Sequence, residues 1–202
     1  MSDFITKLVS KAASSTIAQP NPESTPIFKI IFKPDNRDSH ITSIHLAHSP
    51  NPTPLFIVRT QWFHKPNTIL FCNGAEIGHA TFPNFRHTTV ITYQGQSFPM
   101  RVSGLTGYQS FDAPILGRLK WQPAIMVGST IELKDSYGNK LGRFKPADIP
   151  GTTKEKMLEL YFATDEYNLG LLVLTVMAAA AQVPKGDAAG AVGDVVSAVA
   201  SI

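Results

Sequence analysis

The chain has 202 residues, 43% of them hydrophobic and 16% charged, with a net charge of +3. That length and content suit one globular domain with flanking tails, and the mild positive balance falls short of a nucleic-acid signature. The single cysteine, Cys72, excludes an internal disulfide, which favours a reducing interior.

Residues 1–26 are expected to precede the domain. Within them, 3–18 reads as a short amphipathic helix with Phe4, Ile5, Leu8, Val9 and Ala12 on one face and Ser2 or Asp3 as its cap. Asp3 interrupts any apolar leader, and Ser2 stands where myristoylation needs a glycine. Three prolines in QPNPESTP (19–26) mark a linker.

From 27 to 164 the pattern is strand after strand. Expected strands cover 27–33, 41–48, 55–62, 68–72, 75–82, 87–93, 97–103, 108–111, 114–121, 130–135, 140–145 and 156–163. Asn73-Gly74 is a two-residue hairpin signal, and turns are expected at Gln94-Gly95 and Tyr137-Gly138-Asn139. The connections are mostly too short for parallel crossovers, so the sheet is expected to be antiparallel. Alternation supports one buried face: Ile131 and Leu133 against Glu132 and Lys134, and Leu158, Leu160 and Phe162 against Glu159 and Tyr161.

Residues 165–182, DEYNLGLLVLTVMAAAAQ, read as a helix capped by Thr164 or Asp165. From Leu169 to Ala181 only Thr175 carries a polar group, so this helix has no face suited to water. Its larger side chains would lose about 1.5–3 kcal/mol each if left exposed, which together rivals the net stability of a domain. The apolar run is shorter than the ~20 residues that span a bilayer. Burial in the protein is therefore the first reading and a membrane span the alternative. VPKG (183–186) breaks the helix, and the small-residue segment 187–202 is expected to be a mobile tail.

Geometry joins strands and helix. Twelve strands ~4.8 Å apart and tilted ~40° close into a barrel about 24 Å across. A helix with its surrounding side chains needs a barrel of ~20 Å. The expected fold is mainly β: a closed antiparallel barrel of about twelve strands over 27–182, around a buried C-terminal hydrophobic helix.

This arrangement resembles the tubby C-terminal-like superfamily, which includes the LURP-one-related proteins and the phospholipid scramblases. The resemblance rests on the meander of short strands, on the hairpin LKDSYGNKLGRFK (133–145), and on a closing strand followed by an acidic cap and the apolar helix. It implies a closed barrel around a central helix. It also implies functions that diverge among phosphoinositide binding, membrane association and defence-linked roles. Neither the tubby phosphoinositide motif nor a scramblase calcium segment is found residue by residue.

Chemistry-bearing residues give little. His40, His45 and His48 do not converge on one strand face, and no carboxylate or thiolate sits at zinc spacing, so no metal or cofactor is expected. Cys72 reads as a structural thiol in an apolar strand, with His79 as a conceivable partner across the hairpin. The glycines of 138–145 lack phosphate-loop spacing. No catalytic constellation appears, so the chain is read as non-enzymatic.

Basic residues carry more. Lys134, Lys140, Arg143, Lys145, Lys154 and Lys156 crowd the late hairpin and the segment after it, and Arg118 and Lys120 lie on a strand expected nearby. Against the plain reading of a solvated barrel exterior, this cluster could meet lipid phosphates. The first functional reading is a binding module at an intracellular membrane surface. Arg118, Lys120, Lys134, Lys140, Arg143 and Lys145 are its candidate contacts to acidic phospholipid or phosphoinositide headgroups. Phe4, Ile5, Leu8 and Val9 are its candidate anchor. The alternatives are a protein-interaction scaffold and an enzyme or small-ligand carrier with a barrel-end pocket. A cytoplasmic location, peripheral to the membrane under the first reading, is expected.

Overall fold

The computed structural model describes residues 25–47, 49, 53–61, 64–82, 88–103, 107–124, 130–147 and 154–182. The helix expected over 3–18, with Phe4, Ile5, Leu8 and Val9, and the tail 183–202 lie outside the described residues.

Twelve strands follow one another: β1 (Phe28–Pro34), β2 (Ile41–Leu46), β3 (Phe56–Thr60), β4 (Thr68–Cys72), β5 (Ala75–Thr81), β6 (Thr88–Tyr93), β7 (Gln96–Val102), β8 (Gln109–Ala113), β9 (Gly117–Pro123), β10 (Ile131–Asp135), β11 (Lys140–Pro146) and β12 (Lys156–Leu160). A single helix, α1 (Glu166–Ala180), comes last among the described residues. Each strand pairs antiparallel with its neighbours in sequence, and β1 closes the ring on β12 from Phe28↔Leu160 to Phe32↔Lys156. Closure leaves no open sheet edge.

Local sequence explains the tightest turns. Asn73 and Gly74 have φ of 51° and 81°, and Gln94 and Gly95 have 45° and 79°. Two left-handed residues in a row give the hairpin turn whose twist matches the flanking strands. One expectation needs correction at its start. The strand placed over 114–121 begins at Gly117, because Pro114, Ile115 and Leu116 form the turn from β8. The apolar Ile115-Leu116 pair resembles strand, but Pro114 supplies no backbone N–H for a ladder.

Helix α1 fills the barrel. Leu171, Leu172, Val173, Leu174, Val176 and Ala178 are fully buried, although they point to all sides of the helix axis. The wall opposite them supplies Phe32, Ile44, Leu70, Ile91, Leu119, Trp121 and Leu158. The segment 165–182 is thus sheathed by its own sheet rather than by lipid. Asp165 caps the helix by accepting from the Asn168 N–H at 2.8 Å. Thr175 is satisfied inside: Trp121 Nε1 donates to its hydroxyl at 3.2 Å, and the hydroxyl donates to the Leu172 carbonyl at 3.2 Å. Gln109 of β8 donates to the Ala179 carbonyl at 2.9 Å, which serves a helix end that lacks basic residues.

Tyr93 shows how tightly wall and helix meet. A Cβ on Gly78 would come 2.7 Å from its ring, and a Cβ on Gly170 would strike its hydroxyl. Two glycines, one on β5 and one on α1, make the slot that this ring occupies. Burial pushes the Tyr93 phenol far above its ordinary value.

Candidate functional site

With the lumen filled by α1, the outward faces and the two mouths of the barrel remain for binding. Outward positions follow from strand alternation. On β9 they are Arg118, Lys120 and Gln122, on β10 Glu132 and Lys134, and on β11 Arg143 and Lys145. A bulge between Leu133 and Lys134 sets Lys140 opposite Lys134. Lys134 is in turn opposite Lys120. Three lysines therefore stand abreast across β9, β10 and β11, with Arg118 two positions away. The six candidate cations share one continuous wall. Lys154 and Lys156 do not join the row: Lys156 pairs with Pro146, at the far end of β11.

Two carboxylates divide the wall. Glu132 meets Lys140 Nζ at 2.7 Å and Lys134 Nζ at 3.3 Å. Burial acts to raise the Glu132 carboxyl, but hydrogen bonds and charge from Lys140 and Lys134 outweigh it and hold the group below its ordinary value. Glu159 of β12 faces outward, yet its side chain is only 6% exposed. Arg143 Nε and Nη2 donate to Glu159 Oε2 at 3.2 and 3.0 Å, and Lys145 Nζ lies 3.5 Å from Oε1. The Tyr161 hydroxyl donates to the same Oε2 at 3.4 Å. Burial would lower the Arg143 guanidinium, and its contacts with Glu159 and Tyr161 more than restore it.

The candidates thus separate by role. Arg143 and Lys145 hold a buried carboxylate and belong to the wall's own structure. Lys134 and Lys140 share Glu132. Arg118 and Lys120 have no ion pair among the described residues; Arg118 faces Asp112 in register, and Lys120 lies 5.7 Å from the Tyr108 ring centre. Closure of the barrel adds two cations that sequence reading missed. Lys29 and Lys33 of β1 point outward, and Lys29 stands opposite Glu159. The available signal was that a first strand and a last strand become neighbours in a closed ring.

The remaining candidates are scattered. His40 lies just before β2, His45 bonds Ser43 Oγ at 3.1 Å, and His79 meets Glu76 at 2.8 Å. Burial, aided by Lys33 and opposed by Glu155, holds the His45 ring below its ordinary value. His48 and His87 lie outside the described residues. Among the described residues, no group of three His, Cys, Asp or Glu is arranged to hold a metal ion. Cys72 is half-buried beside Glu166 Oε1 at 3.7 Å, and burial followed by that carboxylate raises its thiol. His79 is opposite Ile69, not Cys72.

No described helix is long and apolar enough to cross a membrane. The outward faces carry Lys33, Arg59, Arg101 and Lys120. A barrel that spans a bilayer with its strands shows an apolar outer band instead. A comparison with protein-family models, curated proteins and solved structures finds no match.

Proposed function

We propose that this chain is a non-enzymatic binding module that engages acidic phospholipid or phosphoinositide headgroups through the outer face of β9, β10 and β11. One observation carries the reading. Lys120, Lys134 and Lys140 stand side by side on three adjacent strands, although like charges directly opposite one another destabilise a sheet. Glu132 relieves part of that repulsion; a surface phosphate would relieve the rest. The filled lumen supports binding on the outside, and the barrel around an apolar helix is the architecture implied by the resemblance to the tubby C-terminal-like superfamily. Under this reading the chain is cytoplasmic and peripheral to the membrane.

The test is binding of the full chain to phosphatidylcholine vesicles with and without phosphatidylserine, at low and high salt. Binding is expected only with the acidic lipid and should weaken as salt screens it. Arg118→Gln and Lys120→Gln should each weaken it about fivefold, near 1 kcal/mol per surface charge. Equal binding to neutral and acidic vesicles would refute the reading. Reversal at Arg143 or Lys145 is a poor test, because it would also strand the buried Glu159.

A scaffold for a protein partner is the second reading. It rests on Ile57 and Val90, both exposed on the wall away from the lysines. A partner retained at high salt and lost with Ile57→Ser or Val90→Ser would favour it.

A further inference from the structure

Two hairpins end side by side at one mouth of the barrel. Asp135 is opposite Leu119, so the β10–β11 turn lies against the start of β9 and the β8–β9 turn before it. Each tip lifts one large side chain into water: Ile115 is 69% exposed and Tyr137 89%. The Tyr137 tip is braced. Asp135 Oδ1 accepts from the Tyr137 and Asn139 N–H groups at 2.9 and 2.8 Å, and Oδ2 accepts from Asn139 Nδ2 at 2.8 Å. The one carboxylate on this turn is thus taken up by the hairpin itself.

Behind the tips stands the basic row. Lys134 and Lys140 are each three residues from Tyr137, or at most ~10 Å along a strand. That offset matches the ~5–10 Å by which interfacial side chains sink below the lipid headgroups. Tyrosine is favoured at that boundary. Glu166 lies away from the tips: it reaches Cys72 on β4, half-way round the ring from β10. The opposing charges beside the row are Glu132, already shared by Lys134 and Lys140, and Asp112, opposite Arg118.

We infer that the chain docks on anionic bilayers tip-first, with Ile115 and Tyr137 entering the headgroup–acyl boundary and Arg118, Lys120, Lys134 and Lys140 on the lipid phosphates. This rests on the lipid-binding reading above and adds an orientation and two inserting residues to it.

The experiment uses the full chain with phosphatidylcholine–phosphatidylserine vesicles. Ile115→Ser and Tyr137→Ser should each weaken binding about tenfold with no loss of fold, since both side chains are exposed. Ile57→Ser and Val90→Ser, exposed on other strands, should leave binding unchanged. Emission from Tyr137→Trp should shift to the blue on these vesicles and be quenched by brominated acyl chains. If the serine variants bind acidic vesicles like the parent and the added indole is not quenched, tip insertion is overturned while the basic-face reading stands. If the parent chain binds no acidic vesicle, both are overturned, and the tips are left to a protein partner.

Discussion

Glu159 and Arg118 show how unlike two charged residues on one wall can be. Glu159 is an outward residue almost sealed by Arg143, Lys145 and Tyr161, whereas Arg118 is exposed opposite Asp112. Removing one partner of a buried pair leaves the other charge uncompensated, while an exposed charge contributes little to stability. Arg143→Ala should therefore destabilise the fold by about 1–3 kcal/mol, and Arg118→Ala by no more than about 0.5, measured by urea denaturation. The vesicle assay should rank them the other way. The sequence shows six cations but not this division, because pairing depends on register. A single bulge in the β10–β11 ladder decides that Lys134 meets Lys140.

Elements were the most legible level. Strand alternation, Asn-Gly and Gln-Gly turns and a helix without a polar face all point to the same barrel, and agreement across levels is what makes a sequence specify one fold. Less legible were features that need three dimensions. The turn at Pro114–Leu116 is hidden inside an apolar stretch, and with it the exposed tip at Ile115. Gly170 looks like a weak point in a helix, since glycine there costs about 1 kcal/mol relative to alanine. Its reason is the Tyr93 ring, whose hydroxyl a Cβ on Gly170 would strike and for which Gly78 also makes room. Gly170→Ala should thus lower stability despite its better helix propensity, by about 1–3 kcal/mol as in an overpacked core. Shortening the opposing side chain with Tyr93→Leu should recover part of that loss in the double variant, read from the same denaturation curves.

At the scale of the whole molecule, one physical constraint organises the rest. A rod with no wet face must be enclosed, twelve strands are enough to enclose it, and the enclosed rod then occupies the lumen that other barrels give to ligands. Under the proposed lipid-binding function, recognition is displaced to the outside, where the lysine row and the two hairpin tips share one sector of the rim. Hydrogen exchange on the full chain, with and without acidic vesicles, tests this most directly. Amides of Leu169–Ala180, where the helical hydrogen bonds begin, should exchange only with global unfolding in both conditions, and vesicles should slow exchange at 114–118 and 134–140 alone. Faster exchange along that helix when vesicles are added, or new protection confined to β3–β6, would contradict it.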